Sequence, residues 1–384
     1  MKGAPTSKQF DDIYFSAQDG LAETHHVFLQ GNDLPQFWQE ARFYNTSFCI
    51  AETGFGTGLN FLAAWKLFEE SAASHQTLDF VSFEQYPLSP GEIDEALKPW
   101  DEQLGKYKKQ LLEQYPIRVE GFHRIVFNKN IVLTLIFGDM NEYIGELDAQ
   151  VDCWFLDGFT PAKNPQMWSD TLYQNMDRLS YDGSRFATFT AAGDVKRGLE
   201  NAGFAVKKTE GFGRKRDMLV GKYQNTKKIK KTYSKPEKIG VIGGGLAGTS
   251  CAFALDQYGF DVTLYEASDK LASGASGNSI GLYNPRFSAL KAPDSLFYTS
   301  AFAQIIRTAQ NAEDVDYTPS GALHLINAPE KEKRFAKLVQ NWNWHEDHIC
   351  LVSKEEASAI VGINLDFKSL IYQKLKGKQI SCYL

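Results

Sequence analysis

The sequence predicts an α/β protein built from two successive Rossmann-like domains. Three observations predict it. Apolar strands alternate with segments of helical spacing over the first 220 residues, two glycine loops each sit at a strand-to-helix turn, and a lysine-rich stretch without periodicity separates them. At 384 residues the chain also exceeds what one core usually occupies. The expected layout is a first domain at 1–222, a basic linker at 223–237 and a second domain at 238–384.

In the first domain "SFCIAET" reads as an apolar strand feeding the first glycine loop, and "LNFLAAWKLFEESA" carries apolar residues at helical spacing. Further strands are expected at "LDFVSFE" (78–84), "VLTLIFGD" (132–139), "VDCWFLDGF" (151–159) and "RFATFTAAG" (185–193). "DVKRGLENAGF" reads as a helix stopped by Gly203, followed by a hairpin through "GFGRKRDMLVGKY". Residues 85–130 read as a polar, helical insertion. In the second domain "KIGVIGGGLAGTSCAFALDQYGFDVTLYEAS" is an unbroken strand–turn–helix–strand.

Composition narrows the function. No apolar run reaches 18 residues, and the first residues lack the pattern of a secretory signal, so no membrane span and a cytoplasmic location are expected. Five scattered cysteines without CxxC spacing argue against a disulfide framework and a zinc site, and no metal is expected. "HEDH" (345–348) reads as a solvated loop, and His25 and His26 as part of an N-terminal hairpin over the sheet. The formal charge of −6 speaks against indiscriminate nucleic-acid binding, but charge is unevenly placed. Between 222 and 238 seven lysines face one glutamate, and "GRKR" (213–216) is also basic. Such a run reads either as a solvated linker or as a contact for RNA phosphates.

The two loops ask for different ligands. In the second, Gly243, Gly245 and Gly248 form GxGxxG, with Glu266 closing the next strand. Gly243 permits the tight turn, Gly245 leaves room for a pyrophosphate, and Gly248 lets helix and strand pack, while Glu266 can accept from ribose hydroxyls. The small, polar "LASGASGNSIGLYNPRFS" (271–288) suits a segment beneath a flavin and resembles the D-amino-acid-oxidase-like flavoproteins, which points to FAD. In the first loop Gly54, Gly56 and Gly58 are spaced by single residues, which suits a ligand without a pyrophosphate, such as S-adenosylmethionine. Glu84 then stands at a strand end for its ribose diol, and Asp139 at the next for its adenine amino group. Asp157, in "WFLDGFTPAKNPQMW", sits where open α/β sheets place their chemistry. "DGFTP" resembles the Asp/Asn-Pro-Pro-aromatic motif of amino-group methyltransferases, which implies Asp157 as the proton acceptor for an amine. Phe159 is placed to pack on a base or shield the sulfonium.

Together "FDDIYFSAQDGLAETHHVFLQGN", "AETGFGTGLNFL", "WFLDGFTPAKNPQMW", "GFGRKRDML", "IGGGLAGTSCAFAL" and "GASGNSIGLY" resemble the bifunctional tRNA 5-methylaminomethyl-2-thiouridine biosynthesis proteins of bacteria. The resemblance runs through essentially the whole chain. It implies an FAD-dependent half that removes a carboxymethyl group from the wobble uridine of tRNA, and a methyltransferase half that methylates the exposed amine with S-adenosylmethionine. It implies Asp157 as the catalytic residue, Gly54, Gly56, Glu84 and Asp139 beside S-adenosylmethionine, and Gly243, Gly245, Gly248 and Glu266 beside FAD. Arg214, Lys215, Arg216, Lys228 and Lys231 become expected tRNA contacts, and the protein is expected to be a monomer. Residues 239–384 are few for such an oxidase half, so it is expected to be incomplete, with poor FAD retention and a weak or missing oxidase step. A flavin-dependent oxidase of small amines and a non-catalytic RNA-binding remnant are the other readings.

Overall fold

A computed structural model of the protein describes residues 6–7, 12–13, 19–41, 47–213, 215–232, 236–278, 281, 288–311, 321–342, 344–346, 348–372 and 381–383. The chain divides into two units, Met1–Leu112 with Arg124–Gly281, and Glu113–His123 with Leu282–Leu384. Among the described residues no helix is long and apolar enough to cross a membrane.

The first unit opens with a two-residue pair of strands, β1 (Thr6–Ser7) and β2 (Asp12–Ile13), then α1 (Gly20–Thr24) and α2 (Gln36–Ala41). His25–Leu29 continues from α1 as a π-helical turn, so the two histidines lie on a helix and not in the expected hairpin. The main sheet then begins with β3 (Ser47–Glu52), α3 (Leu59–Ser71) and β4 (Thr77–Glu84). After α4 (Pro90–Leu97) and α5 (Asp101–Gln114) come β5 (Gly121–Asn128) and β6 (Ile131–Phe137). The short α6 (Met140–Tyr143), β7 (Val151–Phe155), α7 (Asp170–Leu179) and β8 (Ser180–Thr188) follow. Finally α8 (Gly193–Asn201) leads to the antiparallel hairpin β9 (Phe204–Glu210) and β10 (Asp217–Tyr223).

Eight strands form one sheet in the order β5-β6-β4-β3-β7-β8-β10-β9. Strands β3, β4, β6, β7 and β8 are parallel, and β7 and β8 pair through a register shift. From β3 the chain builds outward through β4 and β6, then returns to pair β7 against the other side of β3. The carboxyl ends of β3 and β7 therefore flank the crevice where the order reverses, the place such sheets bind ligands. Residues 121–128 depart from the expected helical insertion. "GFHRIVFN" alternates buried and less buried residues and pairs as an edge strand, where Phe127 packs 4.5 Å from Trp65.

The lysine-rich stretch is partly anchored to this unit. Lys230 Nζ reaches Asp152 Oδ2 at 2.6 Å and Ser47 O at 3.0 Å, and Asp152 is fully buried. Lys228 Nζ reaches Asp177 Oδ1 at 2.7 Å. Beyond it β11 (Lys238–Ile242), α9 (Leu246–Gln257) and β12 (Asp261–Tyr265) form a parallel βαβ with its own two-stranded sheet.

In the second unit α10 (Pro293–Asn311), β13 (Ala322–Leu325), α11 (Pro329–Trp342), β14 (Ile349–Val352), α12 (Lys354–Val361), β15 (Ser369–Tyr372) and β16 (Ser381–Tyr383) follow in order. Their strands make a sheet in the order β14-β15-β13-β16. Phe302 and Ile306 of α10 meet Leu338 and Trp342 of α11 in its core, and Val119 from the separate segment joins them.

Candidate active site

The first glycine loop leaves β3 and turns into α3. Gly56 and Gly58 have φ of 52° and 80°, in the left-handed region that glycine tolerates, and a Cβ on Gly58 would stand 2.7 Å from the Phe55 ring. A Cβ on Gly54 would meet the Asp157 carbonyl at 3.3 Å, so the loop passes close to the end of β7. Thr53 Oγ1 also donates to that carbonyl, and Thr53 N–H to Phe155 O at 3.2 Å, which fastens the two strand ends together.

Around this seam the structure gathers acidic groups from three strands. Glu84 at the end of β4 accepts from Gly56 N–H and Tyr86 N–H, both at 2.8 Å, and burial outweighs these donors and raises its pKa. Asp139 caps α6 by accepting from Asn141 N–H at 2.8 Å. Gly54, Glu84, Tyr86, Asp139, Phe159 and Met167 are among the residues lining one cleft. Asp157 stands beside it after β7, and its Oδ1 accepts from Gly158 N–H at 2.8 Å. Burial pushes the Asp157 carboxyl up to about 6, against the hydrogen bonds of Gly158 and Asn60, with Glu23 raising it and Lys215 lowering it.

Sequence reasoning gave no role to the side chains that tie this cluster together. Asn60, in the first turn of α3, donates from Nδ2 to Glu52 Oε1 at 2.8 Å and to Asp157 Oδ2 at 2.7 Å. Thr24 Oγ1 donates to Asn60 Oδ1 at 2.7 Å, and Ser82 Oγ to Glu52 Oε2 at 2.6 Å. Glu52 is 1% exposed, and burial together with the nearby Asp157 charge raises its pKa to about 8. An Asn two residues after Gly58 was the signal available, and it looks like any helix residue until β7 is brought beside it.

Of the basic residues expected to meet RNA, Arg214 lies outside the described residues. Lys215 and Arg216 are exposed beside the β9–β10 turn, and Lys215 Nζ pairs with Glu23 Oε1 at 3.0 Å. Lys231 is exposed, whereas Lys228 is turned onto Asp177. His26 Nε2 lies 3.0 Å from Glu210 O, and burial lowers the pKa of His25.

At the second loop Gly243 has φ of 100°, and a Cβ on Gly248 would stand 1.8 Å from Gly243 O, so the turn admits no larger residue there. Gly245 caps α9, and the nearest atom to a Cβ on it is Ser276 Oγ at 3.2 Å. Glu266 accepts from Ser268 N–H at 2.9 Å and from Gly244 N–H, and these bonds lower its pKa. The flavin-side segment at 279–280 and 282–287 lies outside the described residues. Among the described residues no group of three or more His, Cys, Asp or Glu is arranged to hold a metal.

Comparison with known proteins meets these two loops. A family model described as S-adenosyl-L-methionine-dependent methyltransferase matches residues 102–224, and one described as FAD dependent oxidoreductase matches 238–377. The chain is 43% identical over 356 residues to the tRNA 5-methylaminomethyl-2-thiouridine biosynthesis bifunctional protein MnmC of a Marinomonas species, covering 88% of this chain and 52% of that one. It is 40% identical to that of Idiomarina loihiensis, over 97% of this chain and 61% of the relative. A crystal structure of MNMC2 from Aquifex aeolicus aligns at TM-score 0.46 and 22% identity, over 60% of this chain and 68% of that one. The chain thus spans between half and two thirds of the length of these curated relatives. Over nearly all of its length the chain is thus similar to tRNA 5-methylaminomethyl-2-thiouridine biosynthesis bifunctional proteins, with a methyltransferase match followed by an FAD dependent oxidoreductase match.

Proposed function

We propose that the chain methylates the aminomethyl group of a modified wobble uridine in tRNA, using S-adenosylmethionine held at the first glycine loop. The observation that carries this reading is the position of Asp157, at the switch point of the sheet and beside the cleft of Gly54, Glu84 and Asp139. The residues fit the cofactor: Gly54 keeps the loop free of a side chain at the seam, and the carboxylates ending β4 and β6 are acceptors suited to ribose hydroxyls and an adenine amino group. When bound, S-adenosylmethionine supplies a methyl group on a positively charged sulfur.

The chain's part is to present an amine with a free lone pair. An alkylammonium must lose a proton first, and a carboxylate with a pKa of about 6 is ionised at neutral pH while remaining a better acceptor than an ordinary aspartate. Asp157 then both receives that proton and orients the nitrogen, and Phe159 shields the methyl from water. Lys215, Arg216 and Lys231, exposed on this unit, are proposed to meet tRNA phosphates, and Arg214 with them. Lys215 and Lys228 are proposed as the weaker of these contacts, because each already pairs with a carboxylate, Glu23 and Asp177.

The second glycine loop is proposed to hold FAD. Gly243 and Gly248 shape the turn, Gly245 opens α9 toward a pyrophosphate, and Glu266 accepts from ribose hydroxyls. FAD supplies two-electron oxidation of a C–N bond when bound, the chemistry needed to remove a carboxymethyl group from nitrogen. This reading places a methyltransferase domain at 1–222, a linker at 223–237 and an FAD-binding domain at 238–384, in a cytoplasmic monomer. Its decisive test incubates the chain with labelled S-adenosylmethionine and tRNA carrying the aminomethyl wobble base. Transfer is expected, with Asp157→Ala slower by about 100-fold or more. No transfer, or transfer undiminished in that variant, overturns it.

A further inference from the structure

We infer that Asn60, held by Thr24, is a positioning residue that fixes the Asp157 carboxylate and keeps it the proton acceptor of the buried Glu52–Asp157 pair. The inference rests on the methyl-transfer reading for its purpose, but its geometry stands independently. A primary amide has two N–H hydrogens, and both are engaged here, one on each carboxyl at 2.8 and 2.7 Å. The amide orientation follows from its partners. Turned over, Asn60 would set its carbonyl oxygen against two carboxyl oxygens, whereas the Thr24 hydroxyl satisfies that oxygen at 2.7 Å as it stands.

The network also separates the two carboxyls. Glu52 is sealed on β3, 1% exposed, with Ser82 as its other donor. Asp157 receives the Gly158 backbone N–H in addition to the amide, a donor that favours the ionised form. Each Asp157 oxygen thus holds one protein donor and keeps a lone pair for an incoming amine. Asn60 resists rotation of the carboxylate plane, and its N–H favours charge on Asp157. The charged groups facing Asp157 are Glu52 from β3, Glu23 from α1 and Lys215 from the β9–β10 turn, with Glu84 of β4 facing Glu52.

The test reads Asp157 directly in the full chain. Carboxyl carbon NMR on protein labelled at aspartate follows the Asp157 titration, with Asp157→Asn identifying its signal. Asn60→Ala is expected to move the Asp157 midpoint upward by about one pH unit or more, because the donor to the charged form is lost. In methyl transfer the same variant is expected to lower kcat by about 10- to 100-fold and to carry the acid limb of the pH profile upward, while KM for S-adenosylmethionine changes by less than about threefold. Thr24→Val is expected to shift the midpoint in the same direction by less. An unmoved midpoint in folded Asn60→Ala overturns the inference, and if that variant does not fold, an unmoved midpoint in Thr24→Val does so. Should the midpoint move while the unaltered chain transfers no methyl group, the positioning role stands and the methyl-transfer reading falls.

Discussion

The two βαβ units, β3–α3–β4 and β11–α9–β12, share strand, glycine turn, helix and parallel strand, yet they differ in what covers them. Helix α3 buries Leu59, Asn60, Phe61, Leu62, Ala63, Ala64, Trp65 and Phe68, and every residue of β3 after the first is buried. Helix α9 buries none of its residues, and Ile242, Leu246, Phe253 and Tyr265 are 90%, 68%, 54% and 58% exposed. A local motif therefore specifies its turn without specifying its stability. The turn comes from glycines and backbone hydrogen bonds, whereas the free energy that holds a βαβ comes from apolar area buried by neighbours.

The widest break in the comparison lies in side-chain truncation on the two helices. Trp65→Ala is expected to destabilise the first unit by about 3–5 kcal/mol, and Phe253→Ala to change stability by less than about 0.5 kcal/mol, as denaturant melts would read. Equal losses would show that α9 is as well packed as α3. A second pair probes the turns. Gly248→Ala forces a Cβ to 1.8 Å from a carbonyl oxygen and is expected to weaken FAD binding by about tenfold or more, followed by flavin absorbance. Gly54→Ala meets its carbonyl at 3.3 Å and is expected to lower S-adenosylmethionine affinity by a smaller factor, read by calorimetry.

A third comparison sharpens the electrostatic side, because the buried acid Glu52 has a counterpart, Glu266, that is only half-buried. The Glu52 pKa is raised from 4.5 to about 8, so the native state binds more protons than the unfolded chain between those values. Its contribution to stability is full below pH 4.5 and is lost as pH rises through about 8. Glu52→Gln stays neutral throughout and is expected to gain on the unaltered protein between pH 5 and pH 9, by about 4 kcal/mol. A flat difference across that range would place Glu52 outside the acidic cluster. Glu266, half-buried and held by the Ser268 and Gly244 N–H groups, has its pKa lowered and is expected to give no slope in that range.

Much of the methyltransferase-like sheet was legible because its parallel strands are continuous apolar runs ending in polar or glycine residues. Strand β5 was not, because "GFHRIVFN" carries His123 and Arg124 among its apolar residues and sits in a helical neighbourhood. The lysine run misled for a similar reason. Its spacing could not tell Lys230, locked onto buried Asp152, from Lys231, which is exposed. Asn60 was equally silent, since its partners Thr24, Glu52 and Asp157 are distant in the chain or on another element.

By itself the sequence determined the two glycine turns, because positive φ and missing Cβ atoms are local demands that only glycine meets. It also determined the order along the chain of the parallel strands of the main sheet and the kind of acid at their ends. Only the tertiary structure decided which carboxyl shares an amide with which, and which βαβ lies under cover. Those outcomes depend on burial and on distances of 3 Å or less between residues far apart in sequence, to which periodicity and spacing are blind.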